Sequence, residues 1–297
     1  MDDATIAGLR TAASAVFDIG FAAMIGALAT LALLRDTSSD WGTRGARRCR
    51  SLFMHASLLT LAASLAWMVA ESISMLDLPV LDALQAAGGI VADTAFGHAW
   101  AAKTVALAAC TVLAHAKRYR PMPLRWLAVG IAVVAFEQAN AGHAGANAFD
   151  WRMPAMALHL LATGLWAGSV FAAVRGVLHG LPHDVDGARY ASRLSRLATA
   201  ALVTVAVTGG ATAWHALGGS LAPLAPASAS AWGVALDVKL VLVATAVALG
   251  GFNRFVVMPS LPDAWRRFAW VLRVEAVVLA GVLVAAAILA NGEPPAM

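Results

Sequence analysis

Long apolar stretches, interrupted only by isolated polar residues, recur along the chain near 11-34, 52-70, 98-116, 124-141, 154-174, 193-216, 232-252 and 268-291. The hydrocarbon core of a bilayer takes roughly 20 apolar residues of helix to cross. Lipid offers no partner to backbone N–H and C=O groups, so each crossing segment must satisfy them internally. The pattern therefore predicts an all-α polytopic membrane protein with eight transmembrane helices. Little chain is left between them. The segment 71-97 holds Pro79, Gly88 and Gly89 and has room for one short interfacial helix, and 216-231 is rich in Ala, Ser, Pro and Gly around Pro223 and Pro226. Residues 1-297 read as a single membrane domain.

Charge fixes the orientation of these spans. Seventeen of the 21 Lys and Arg residues fall in every second connection: Arg35 to Arg50, Lys117 to Arg125, Arg175 to Arg196 and Arg254 to Arg273. The segment 71-97 carries Glu71, Asp77, Asp82 and Asp93 and no base. Basic connections stay on the inner side, so both termini are expected outside. The first span is preceded by a net acidic segment and followed by the basic cluster, the order of a retained helix rather than a cleaved signal.

Composition agrees: 60% apolar residues, 13% charged residues and a mean hydropathy of +0.74 lie far from soluble globular averages. The net charge of +4 and pI of 9.6 follow from arginines placed against anionic headgroups and call for the lipid bilayer as partner, with no nucleic acid. Cys49 and Cys110 are both placed toward the inner face, and no CxxC motif exists, so neither a disulfide nor a cysteine metal site is expected.

The chain also resembles itself. Phe96-Gly97, Lys103 and Arg118 match Trp232-Gly233, Lys239 and Arg254 at a constant offset of 136. The offset carries span one onto span five and span three onto span seven, and more loosely two onto six and four onto eight. It predicts a parallel 4+4 helix repeat, 1-145 and 146-297, with an axis along the membrane normal.

Polar residues at membrane depth are costly and mark function by default. His98, His143, His159 and His215 all fall at the outward ends of their spans, whereas His55, His115, His179 and His183 fall at or beyond the inward face. Met156 lies three residues before His159, on the same helix face. Met153, Met68 and Met75 add thioethers at that end, and Glu137 lies about two turns below His143. Imidazole with thioether is a ligand set for copper. Each member alone is ordinary: a lone interfacial His is usually solvated, and Met usually fills space. Asp18, Asp237 and Glu275 need partners such as Lys103, Lys239 and Arg273, and a cross-helix lock of Glu275 with a lysine is expected. Asp237 and Lys239 are too close in sequence to face each other. Trp100, Trp151, Trp214 and Trp232 form an interfacial belt.

The run from His159 through Trp166 to Gly168, the segment Gly142-His143-Ala144, the Trp232-Gly233 to Lys239 helix ending at Asn253-Arg254, and the Arg273-Val274-Glu275 helix followed by Pro294-Pro295 resemble the CopD/PcoD family of bacterial inner-membrane copper-resistance proteins. The resemblance spans the chain and is strongest from about residue 140. It implies a multi-pass inner-membrane protein with periplasmic termini that takes copper ions at the periplasmic face, moves them toward the cytoplasm and works with a separate periplasmic carrier of the CopC type. His143 and His159 match the family's histidines best. His98, Met156, His215 and Glu137 join the candidate metal site by topology. Two other readings fit the same residues: a haem-binding membrane cytochrome, and a copper sensor or docking scaffold without transport. Enzymatic activity is not expected, since the chain has no nucleophile motif, phosphate loop or HExxH pattern.

Overall fold

The computed structural model describes residues 3–37, 39–76, 79–116, 122–141, 151–178, 185–216, 230–261 and 263–292. These form nine α-helices and no strand: α1 (Asp3–Leu33), α2 (Asp40–Leu76), α3 (Val80–Asp93), α4 (Ala95–Ala116), α5 (Leu124–Ala141), α6 (Arg152–Ala172), α7 (Val185–Ala216), α8 (Ala231–Phe252) and α9 (Trp265–Asn291). Seven of them, all but α3 and α5, are long and apolar enough to cross a membrane. The chain is thus a polytopic all-α membrane protein. The remaining long stretch, α5, has 18 residues and carries Arg125 at one end and Glu137, Gln138 and Asn140 at the other. α3 is the short helix for which 71-97 had room.

The sequence predicts a second span over 52-70, yet α2 begins at Asp40, more than ten residues earlier. The basic stretch Arg44 to Arg50 is helical because its other face has a partner. Trp41 Nε1 donates to the Val177 carbonyl at 3.1 Å, and Cys49 lies against the Ala172 carbonyl. Gly45 and Gly176 face each other there, leaving room for the two segments to approach. α6 and α8 each run on into a π-helical turn, Ala173–Val177 and Asn253–Val257. Cys49 and Cys110 are buried free thiols with different neighbours, Ala172 and Leu127.

α1 is the central helix. It packs along α2, α6 and α9. Its crossing with α6 is tight because small residues meet: a Cβ on Gly26 would run into the Gly168 backbone, and one on Gly168 would run into the Ala22 carbonyl. Gly164 faces Ile25 and Ala22 one turn away. The spacings Ala22-x3-Gly26 and Gly164-x3-Gly168 are the small-residue pattern by which membrane helices bring backbones together. Packing around this crossing is reciprocal. α1 lies on α2 and α9, α6 lies on α7 and α5, and α4 pairs with α5 as α8 pairs with α9. The correspondence fails at one place: α2 packs on α4, but α7 and α8 make little contact among the described residues. Between them opens a largely apolar cavity of about 370 Å³.

Candidate functional site

His159 stands on α6 seven residues from its start, about 10 Å along the axis. Its imidazole is half-buried against α7, and Nδ1 is 3.0 Å from Thr208 Oγ1. The threonine hydroxyl donates its own proton to the Thr204 carbonyl at 2.7 Å. Thr208 Oγ1 must then accept from the imidazole, so the ring carries its proton on Nδ1 and presents the Nε2 lone pair. This is the arrangement by which an outer partner fixes the tautomer of a metal-ligating histidine. Gly209 makes the space: a Cβ there would lie 3.0 Å from His159 Cε1.

A charged centre lies at similar depth. Lys103 on α4 and Lys239 on α8 are each eight residues from the start of their helix, about 12 Å along the axis. Both act electrostatically on Asp18 of α1, and Lys239 also acts on His159. Lys103 is buried, donates to Gln138 Oε1 at 2.7 Å and sits over the rings of Phe17 at 4.9 Å and Trp67 at 5.2 Å. Its ammonium is thus held by an amide and two aromatic faces, within the field of Asp18, a way to keep a charge within a membrane bundle. The two lysines that the repeat pairs therefore both act on one aspartate.

The other candidates are spread around this layer. Met156 is half-buried one turn before His159. His98 is exposed beside the α3–α4 corner, and its Nε2–H donates to the Ala92 carbonyl at 2.8 Å. The corner is built by Thr94, whose hydroxyl donates to Ile90 O at 2.6 Å and accepts from Gly97 N at 2.9 Å. Glu137 Oε2 accepts from Asn140 at 3.3 Å, next to the Gln138 that holds Lys103. His143 lies outside the described residues. His215 falls in the last turn of α7, and its side chain is also outside them. Among the described residues no three His, Cys, Asp or Glu side chains form a metal-sized group.

The inner soft ligands do not form a chain. Met24 is fully buried in the core, Cys110 lies against Leu127, and His115 Nδ1 is 2.8 Å from the Thr111 carbonyl. Glu275 has no lysine. It is buried at 3% exposure, faces Gly250 across the α8–α9 interface and has no hydrogen bond or ion pair among the described residues. Asn253, buried beside the same cavity, has neither side-chain atom hydrogen-bonded. The sequence singled out both residues, but only the packing of α8 on α9 reveals that their side chains lack partners among the described residues.

These features define a multi-pass helical membrane protein with buried polar side chains among its helices. Residues 1–153 match the family model for the copper resistance protein D-like N-terminal domain, and residues 188–289 match that for copper resistance protein D. The chain belongs to the copper resistance protein D family. His143 falls within the first match and His159 between the two. Comparison with curated proteins and with solved structures gives no match.

Proposed function

We propose that the protein takes copper at the periplasmic face of the bacterial inner membrane and moves it toward the cytoplasm. In this reading α5 is an eighth crossing, both termini are periplasmic, and the chain is a parallel repeat of 1-145 and 146-297. The alternation of basic connections supports the orientation. The reciprocal packing of α1 and α6 on their neighbours supports the repeat.

The observation that carries the site is the His159–Thr208 pair, which leaves Nε2 as the free lone pair of an imidazole already oriented by its neighbour. His143 and Met156 are the proposed companions, with His98, His215 and Glu137 around the mouth. Thioether with imidazole suits copper and favours Cu(I). Below the capture site, Asp18 is the acceptor for the incoming cation. Lys103 and Lys239 both act on it in copper's absence, and as copper takes the carboxylate one ammonium gives up its proton to water. A CopC-type periplasmic carrier delivers the ion.

Copper content and the absorbance spectrum of detergent-purified protein, measured for wild type, His159→Ala and His143→Ala, test the site. Copper bound by wild type and lost in both variants is expected. A Soret band abolished by His159→Ala would replace the reading with a haem protein, and copper binding without uptake into proteoliposomes would reduce it to a sensor or scaffold.

A further inference from the structure

At the arginine-rich end of the bundle, a chamber of about 1110 Å³ lies between the end of α1 and the starts of α2 and α5. Among the described residues four arginines line it, Arg35, Arg47, Arg50 and Arg125, of which Arg50 has an interaction of its own, and no Asp or Glu does. Asp36 and Asp40, close by in sequence, are exposed and outside the lining. The side chains of Arg35 and Arg47 make no hydrogen bond or ion pair among the described residues, and Arg125 stacks on the exposed ring of Trp126 at 5.3 Å. Topology alone would spread arginines along the inner surface. Here they converge on one concavity, where like charges repel unless an anion sits among them.

The rest of the lining points to what that anion carries. Leu31, Leu34, Met54, Met122 and Leu124 make part of the lining apolar, while Thr43 and Ser51 add hydroxyl-bearing residues. Cationic and apolar lining together match a molecule with a phosphate head and a hydrocarbon tail. They oppose release of a metal cation through this chamber, although Met54 and His55 line it.

We propose that this chamber binds the phosphate headgroup of an anionic phospholipid from the inner leaflet, with its acyl chains against the apolar part of the lining. Basic pockets between helices at the cytoplasmic face suit such headgroups. The bound lipid joins α1, α2 and α5 at the end of the bundle far from the copper site, so it is independent of copper capture.

The test uses full-length protein, delipidated in detergent and then given phosphatidylglycerol, phosphatidylcholine or inorganic phosphate. The unfolding midpoint and the lipid phosphorus retained after gel filtration are read. Phosphatidylglycerol at about a hundredfold its Kd is expected to raise the midpoint by about 5 °C and to be retained. Phosphatidylcholine and phosphate are expected to leave it unchanged. The triple variant Arg35→Gln, Arg47→Gln, Arg125→Gln should lose both effects. A second triple, Arg175→Gln, Arg266→Gln, Arg267→Gln, removes the same charge from other basic connections and should keep them. Equal shifts with phosphatidylcholine, a shift with phosphate alone, retention by the chamber variant or equal loss in the control variant would each overturn the proposal. Should the chamber triple not fold, Arg47→Gln alone must lower the retained phosphorus, and an unchanged value overturns the assignment.

Discussion

The crossing of α1 and α6 offers the sharpest test of how this bundle is held together. In Gly168→Ala, the new Cβ would lie 2.6 Å from the Ala22 carbonyl carbon and 2.9 Å from Gly26 N, with the Ala22 oxygen closer still. Ordinary contact is about 3.5–4.0 Å, so the helices must part by about 1 Å. Lipid supplies no hydrophobic drive to hold them, and a gap of that size forfeits a quarter to a half of each dispersion contact along the seam. With the strain of inserting a methyl, the cost is about 2–3 kcal/mol. Alanine's better helix propensity returns up to about 1 kcal/mol. The net loss of about 2 kcal/mol corresponds to a fall of roughly 4–8 °C in the thermal midpoint, read by fluorescence-detected gel filtration after heating. Gly251→Ala is the control, because nothing lies within 4 Å of its new Cβ. It should be neutral or slightly stabilising. If Gly168→Ala proves as stable as Gly251→Ala, the close crossing does not exist.

Thr208→Val keeps the shape but removes the acceptor that holds His159. Copper affinity, measured by competition with a chromophoric Cu(I) chelator, should fall about 10–100-fold, and an unchanged affinity would remove Thr208 from the site. Glu275→Met replaces an unpaired buried carboxyl with an apolar side chain of similar volume. It should stabilise by about 1–3 kcal/mol in thermal unfolding, and a loss of that size would mean that Glu275 holds a group essential to the fold. Lys103→Met leaves Asp18 with Lys239 alone and frees Gln138, costing about 3 kcal/mol, whereas Asp18→Asn together with Lys103→Met should recover part of that. Additive effects in this double-mutant cycle would exclude coupling between the two residues.

Hydropathy made seven of the eight expected spans legible, because the bilayer imposes length and polarity on every segment that crosses it. The repeat of Gly97 and Lys103 at Gly233 and Lys239 pointed to two lysines at one depth, and Asp18 is where they act together. What pattern could not supply was facing. Gly164 and Gly168 stand in plain view at a helix-packing spacing, yet their partner Gly26 lies over a hundred residues away. The early start of α2 was hidden for a similar reason: an arginine-rich stretch looks like a loop until Trp41 and Val177 are seen to meet. Glu275 was assigned a lysine because lysines were available, but α8 presents Gly250 to it instead. At the candidate metal site, the residue types were readable. The hydroxyl that orients His159 was not, since threonines occur throughout α7.

The central position of α1 has a consequence for biogenesis. During synthesis α1 meets α2 at once, but its other packing partners follow much later: α6 starts at Arg152 and α9 at Trp265. Until α8 is inserted, Asp18 lacks one of its two lysines, and until α9 arrives one side of α1 has only lipid against it. The Asp18–Lys103 centre is therefore in the membrane before the helices that enclose it.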